Sequence, residues 1–300
     1  MSIPAVRMAR RRGVIAGAVV TLSLATIIWW STAWLVGAQS PTPAVGIHKV
    51  EEAGFEPTPQ GLLFIAVMGT DVRAGPPGGA GGCDAVHIVA INIEAGAGTI
   101  LNFPRDSFLN GQKLTDICRR GGVEAAVSVL GAHTGIRINY FVTTEFSHFQ
   151  SFIQELGGME INVPYAMADS ASGAVFQPGP QGMNGSQVLA FTRNRKDTPR
   201  GDFSRTENQG LVMLSSLEKF RAETKDPHRL FDYIRVARRH VKLDVPATEI
   251  IRLALIARRL DSSKIQNLTV PGSTGTAGSA SVVFLAPGDT YDRVRDDAIF

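Results

Sequence analysis

An uncharged run from Gly13 to Ala38, entered through Arg7, Arg10, Arg11 and Arg12, constrains this chain more than any other feature. A helix needs about 20 apolar residues to cross a bilayer, and this run is longer than that. It also exceeds the roughly 7–15-residue apolar core of a cleavable signal peptide. Trp29, Trp30 and Trp34 stand near its far end, where aromatic rings favour the membrane–water interface. Arginines favour the cytoplasmic side. The reading is a cytoplasmic basic tail over 1–12, a transmembrane anchor over 13–38, and a single-pass cell-membrane protein whose C-terminal part lies outside the cytoplasm. Two alternatives stay open. One is a signal peptide cut near Val36-Gly37-Ala38. The other is a buried soluble helix, which would not ordinarily be apolar all round behind a basic clamp.

The stretch 39–60 carries Gln-Ser-Pro-Thr-Pro and Glu-Pro-Thr-Pro-Gln and reads as a linker. Residues 61–300 then form one large domain or two small ones. The net charge of +3 lacks the basic stripe of a nucleic-acid binder, so no nucleic-acid partner is expected. The two cysteines, Cys83 and Cys118, read as a disulfide in an oxidising compartment. Two buried free thiols are the alternative. Without clustered histidines the pair cannot complete a zinc site.

Apolar runs predict strands over Gly61–Met68, Val86–Ile93, Thr99–Phe103 and Ile161–Val163. Helices are predicted over Gly122–Thr134, Glu145–Leu156 (stopped by Gly157-Gly158), around Gln187–Phe191, over Asn208–Arg221 and over Glu249–Leu260. Strands interleaved with helices argue for α/β layering. No Gly-x-Ser-x-Gly elbow, His-Glu-x-x-His pair or nucleotide P-loop occurs, and the six histidines are scattered.

What remains is a set of Asp and Arg residues at strand ends: Asp71 and Arg73 after the first strand, Asp84 before the second, Arg105 and Asp106 after the third. Arg193, Arg195, Arg200, Asp202 and Arg205 follow later. Ligands of open α/β sheets collect outside strand ends. Carboxylates there would hold Mg²⁺, which completes its shell with phosphate oxygens, and arginines would fork onto phosphate. Arg193 and Arg195 would share a face only in an extended segment. Taken singly, each of these charges also reads as a solvated loop residue or a salt bridge.

The run Met68-Gly-Thr-Asp71-Val-Arg73, then Asp84, then Phe103-Pro-Arg105-Asp106, resembles the core of the LytR–CpsA–Psr family. The resemblance continues through Lys113, Gly121-Gly122, Leu156-Gly157-Gly158, Val163-Pro164, Asn184-Gly185 and Ala190-Phe-Thr-Arg193-Asn-Arg195, and ends at Gly201-Asp202, Arg205 and Gln209. It implies a three-layer α/β/α sandwich with a central mixed sheet and a hydrophobic pocket for a polyprenyl chain. The implied activity is a glycopolymer phosphotransferase that moves glycans from polyprenyl-pyrophosphate carriers onto peptidoglycan. By matching positions, Asp71 and Asp84 would serve Mg²⁺, and Arg73, Arg105, Arg193, Arg195, Arg205 and Gln209 would hold the pyrophosphate. Asp106 or Asp84 would take the acceptor's proton, with Arg105 at the reacting phosphorus. The membrane, the glycan lipid and peptidoglycan are the implied partners. A non-catalytic polyprenyl-lipid-binding regulator and a pyrophosphatase on the same lipid are the other readings. The chain departs from the commoner pattern at Gly82 and Asn208, where many members carry Arg.

Overall fold

The computed structural model describes residues 45–50, 58, 61–71, 81–226, 228–229, 232–233, 235–236, 241–243 and 245–300. The basic tail, the proposed anchor, most of the proposed linker and Arg73 lie outside these residues. Among the described residues, no helix is long and apolar enough to cross a membrane.

The centre is β2 (Leu62–Thr70). Its near-continuous apolar run is buried on both sides, as expected for a strand covered by helices on each face. It pairs antiparallel with β3 (Cys83–Asn92), which pairs antiparallel with β4 (Ala97–Asn102); a short hairpin of β5 (Phe108–Leu109) and β6 (Gln112–Lys113) follows β4. On its other side β2 runs parallel to β7 (Tyr140–Glu145). Beyond β7 lie β1 (Val45–Lys49), antiparallel, and then β12 (Val241–Leu243), parallel to β1. At the opposite edge β13 (Ile265–Thr269) runs parallel to β4. The result is a mixed seven-stranded sheet ordered β12-β1-β7-β2-β3-β4-β13.

Alternation along β2 divides the core. Leu62, Phe64, Ala66 and Met68 face helix α1 (Leu114–Thr134) and a C-terminal helix, α6 (Thr290–Asp297), within one apolar cluster. Leu63 and Ile65 face Leu217 of α4 (Asp202–Glu223) and Ile250, Leu253 and Ile256 of α5 (Ala247–Arg259) within another. Such a leucine or phenylalanine, fully buried, contributes on the order of 1.5–3 kcal/mol by removal from water.

A second core gathers α2 (Phe146–Glu155), α3 (Gly185–Arg193) and two antiparallel pairs, β8 (Met159–Val163) with β11 (Gly179–Met183) and β9 (Met167–Asp169) with β10 (Ala174–Phe176). The glycine stop after α2 is realised at Gly157, whose φ is +80° and whose N–H donates to the Gln154 carbonyl at 3.0 Å; the Gly158 N–H donates to the Ile153 carbonyl at 2.9 Å, and a Cβ at Gly158 would crowd the Met183 carbonyl oxygen. Helix α3 begins with a reciprocal capping box between Asn184 and Gln187.

Three sequence expectations need correction. Part of the proposed linker, Val45–Lys49, is an interior strand of the sheet: five residues between proline-rich stretches were too few to show a period. Helix α1 begins at Leu114, not at Gly122, which sits inside it as a kink with φ +79°. Arg193 ends helix α3, and the backbone turns extended only at Asn194.

Candidate anion-binding site

Segments from distant parts of the chain enclose a cavity of about 210 Å³ at the strand ends of the sheet. The start of β3 brings Asp84. The turn after β4 brings Arg105. The end of α3 and the residues after it bring Thr192, Arg193, Arg195 and Lys196, and the first turns of α4 bring Arg205 and Gln209. The β9–β10 turn closes the rim with Asp169, Ala171 and Ser172. Of the sequence-expected residues, Asp84, Arg105, Arg193, Arg195, Arg205 and Gln209 thus come together.

Arg105 is held from several directions. Ser107 donates to the Pro104 carbonyl through both its N–H (3.0 Å) and its hydroxyl (2.6 Å), which closes the turn after β4. The Arg105 carbonyl accepts from Thr115 N at 3.0 Å, and its N–H donates to Asp202 Oδ2 at 3.1 Å. Arg105 Nη1 donates to Asp84 Oδ1 at 2.6 Å. Burial works to lower the pKa of this guanidinium, but the bond and charge of Asp84, with Asp106 and Asp202 nearby, raise it above its ordinary value. The group is a permanent cation.

Asp202 also faces Arg205, with Nη2 at 2.7 Å from its Oδ1. Arg205 is buried, and its pKa is lowered by that burial and by the charges of Arg105 and Arg195. Buried Nε atoms of both Arg105 and Arg205 lack a hydrogen-bond partner. Two buried donors without partners, inside a ring of further arginines, suit an oxyanion ligand that would satisfy them.

Gln209 ties the walls together, donating from Nε2 to the Thr192 carbonyl at 3.2 Å and to the Asp84 carbonyl at 3.4 Å. Behind it lies a buried polar chain. His87 Nδ1 meets Asn102 Oδ1 at 2.8 Å, Asn102 Nδ2 donates to Asn267 Oδ1 at 2.7 Å, and Asn267 Nδ2 donates to the Glu207 carbonyl at 2.9 Å. Burial holds the His87 pKa down at about 4, against the opposing effect of its Asn102 hydrogen bond. The unfolded imidazole titrates near 6.5. A folded pKa below the unfolded one means the contribution is complete above about pH 6.5 and is lost as pH falls toward 4. Between pH 7 and pH 4.5, urea unfolding should show a loss of roughly 2–3 kcal/mol in the native chain beyond that in His87→Asn. Equal losses in the two proteins would refute this role for His87.

Two expected residues stand outside the cavity lining. Asp106 pairs with Lys113 Nζ at 3.3 Å. Asp71 directly follows β2, its N–H 3.5 Å from the carbonyl of Gly82, two residues before Asp84. Among the described residues no cluster of three or more His, Cys, Asp and Glu is arranged as a metal site. Mg²⁺ needs only one or two carboxylates when phosphate oxygens and water supply the rest, and of the expected pair Asp84 lines the cavity beside the arginines.

Cys83 and Cys118 are joined, with Cα atoms 5.6 Å apart, tying the first residue of β3 to α1. The two departures are structurally absorbed. A side chain at Gly82 would meet Thr115 Oγ1 at 2.3 Å, and buried Asn208 donates to the Tyr165 hydroxyl at 2.9 Å. Arg119 and Arg120 do not replace the missing cations in the cavity: Arg119 pairs with Asp116, and Arg120 donates to Gln112 at 3.1 Å.

A second cavity, about 420 Å³, lies between the sheet and helices α4 and α5. Its walls are almost wholly apolar, among them Leu63, Ile65, Ile91, Leu217, Phe220 and Leu253. Helix α4 contributes Arg205 and Gln209 to the first cavity and Ser216, Leu217 and Phe220 to the second. From Gln209 to Ser216 is about 10 Å along the axis at 1.5 Å per residue.

Fold and site define an α/β domain with an arginine-lined anion cavity at its strand ends and an apolar cavity further along the same helix. The sequence model of the LytR_cpsA_psr family matches residues 38–298, and the chain belongs to that family. It is 24% identical over 254 residues, 80% of its length, to the polyisoprenyl-teichoic acid–peptidoglycan teichoic acid transferase TagV of Bacillus subtilis. It is 27% identical over 187 residues, 60% of its length, to TagU of the same organism, which bears the same transferase description. The matched segments span 62% and 59% of those two proteins, so the chain corresponds to about six-tenths of their length. The crystal structure of B. subtilis TagV superimposes with a TM-score of 0.67 and 25% identity, over 80% of this chain and 96% of that one. A structure described as TagT bound to LI-WTA shares the fold, with a TM-score of 0.64 and 19% identity over 84% and 94%.

Proposed function

We propose that this chain is a glycopolymer phosphotransferase that moves a glycan from a polyprenyl-pyrophosphate carrier to peptidoglycan, acting outside the cytoplasm from a single transmembrane anchor over 13–38. Its domain is a three-layer α/β/α sandwich. The observation that carries the reading is helix α4, which lines an arginine cavity at one end and an apolar cavity about two turns further on. A pyrophosphate joined to a long apolar tail has those two chemistries in that order. The transferase names of the TagV and TagU relatives support the same reaction class.

In this mechanism a hydroxyl of the peptidoglycan acceptor attacks the phosphorus that bears the glycan. The pyrophosphate P–O–P bond breaks, polyprenyl monophosphate leaves, and a phosphodiester joins glycan to acceptor. Little covalent work falls to the protein; its task is to place the phosphates and balance their charge. Arg105, Arg193, Arg195 and Arg205 do so at the cavity wall, and Asp202 holds Arg105 and Arg205 in position. Asp84 is favoured over Asp106 to receive the acceptor's proton because it lines the cavity and Asp106 does not; each carboxylate has a cationic partner, Arg105 and Lys113 respectively. Bound Mg²⁺, held by Asp71 and Asp84, would supply further charge neutralisation on the phosphates.

The two duties of Asp84 can be separated. Asp71→Asn should raise the Mg²⁺ concentration needed for half-maximal transfer and recover its rate at high Mg²⁺. Asp84→Asn should stay slow at any Mg²⁺ concentration. Full recovery of Asp84→Asn at high Mg²⁺ would remove its role as base.

Mass spectrometry of lipid co-purified with the protein tests the ligand. A polyprenyl phosphate or pyrophosphate is expected, and an apolar cavity filled only by ordinary phospholipid would contradict the reading. For topology, a reporter fused after Phe300 should be active only outside the cytoplasm; activity inside would overturn the proposed orientation.

A further inference from the structure

Helix α5 is apolar on two faces. The inward face, including Ile250, Leu253 and Ile256, lines the apolar cavity. The outward face carries Ile251 and Leu255, 57% and 50% exposed and one helical turn apart. A helix that is apolar on both sides ordinarily lies between two apolar surroundings. Arg252, Arg258 and Arg259 flank the outward pair and are exposed. The helix's one acid, Glu249, is turned inward, accepting from the Tyr140 hydroxyl at 2.6 Å and pairing with Lys49 Nζ at 3.4 Å. The outward face is therefore apolar and basic.

Its place in the chain supplies a second argument. Helix α5 follows β12, the edge strand paired with β1. Strand β1 is the first strand after the apolar run, and the seven steps from Ala38 to Val45 reach at most about 25 Å when fully extended. We propose that the outward face of α5 docks on the anionic surface of the membrane that holds the chain, with Ile251 and Leu255 entering the interfacial layer and the arginines meeting lipid phosphates. The distance argument rests on the reading of 13–38 as an anchor; the apolar and basic face does not. In this arrangement α5, whose inward face lines the apolar cavity, brings that cavity close to the bilayer from which a lipid carrier would come.

The test uses the full chain in vesicles of phosphatidylglycerol and phosphatidylcholine. Leu255→Cys and, separately, Val175→Cys are labelled with a nitrobenzoxadiazole fluorophore. The native cysteines are bridged, and Val175 is 72% exposed on the β10 strand, so it serves as a solvent control. Doxyl-labelled lipid should quench the label at 255 several-fold more than the label at 175. Reversing Arg258 and Arg259 to Glu should lower the docked-to-undocked ratio by about fivefold or more per arginine. Quenching at 255 no greater than at 175 would overturn the proposal, as would equal quenching in phosphatidylcholine alone. Release of the chain by alkaline carbonate would instead count against the anchor, so the two failures are distinct.

Discussion

Arg105→Ala should slow glycan transfer roughly thirty- to thousand-fold, a loss of about 2–4 kcal/mol of transition-state stabilisation. Arg105 is a permanent cation in a half-buried pair with Asp84, and its buried Nε has no hydrogen-bond partner within the protein. Removing it takes away a charge-assisted donor at the phosphate and leaves Asp84 without its 2.6 Å partner. Arg105→Lys should recover only part of the rate, because a point charge cannot fork onto two phosphate oxygens. Thermal unfolding must accompany the kinetics, since the Arg105 backbone is itself part of the turn after β4. A folded Arg105→Ala chain that transfers at the native rate would show that the cavity is not where the reaction occurs.

Loss of the Cys83–Cys118 bridge should cost about 4 kcal/mol of stability in the chain-entropy model, given its sequence separation of 35. The effect acts on the unfolded chain, which regains the freedom of that loop. Cys83→Ser with Cys118→Ser should therefore unfold at a lower urea concentration and with a steeper slope, because the unfolded chain without the bridge exposes more surface, as read by equilibrium denaturation. Because Cys83 adjoins Asp84, the same variant should also bind the pyrophosphate lipid more weakly. A shift in stability below about 1 kcal/mol would mean that the bridge does not constrain the unfolded state as the model requires.

Much of this architecture could be read from sequence because the central elements are extreme cases. Strand β2 is apolar throughout, α2 ends at two glycines, and α3 opens with an asparagine cap. The arginines of the cavity were recognisable through their place at strand ends and through the family resemblance. Other features depend on contacts between distant residues. Asp202 is one acid among several in a mixed-charge segment, and nothing local marks it as the acceptor for a backbone N–H 97 residues away. Asp169, Ser172 and Lys196 reach the cavity through the β9–β10 turn and the segment after α3, whose placement follows from the second core. Asp106 failed in the opposite way. It adjoins Arg105, yet the tight turn after β4 directs it to Lys113. Strands β13, β14 (Gly272–Ala277) and β15 (Ala280–Leu285) carry weak local signals: Gly272 and Gly275 interrupt β14, and the five residues of β13 mix Ile265 and Leu268 with Gln266 and Asn267. Only pairing with β4, and of β14 with β15, reveals them.

The central claim is group transfer from a pyrophosphate lipid to a glycan acceptor. Its most direct test supplies the full-length protein with a polyprenyl-pyrophosphate glycan carrying radiolabel on the phosphate next to the glycan, with and without peptidoglycan strands. The account predicts that label enters peptidoglycan as a phosphodiester, that one polyprenyl monophosphate is released per glycan joined, and that neither product forms without acceptor. Release of labelled glycan phosphate at the same rate without acceptor would make the protein a hydrolase. Retention of intact lipid with acceptor present would make it a binding protein, and either result would contradict the account.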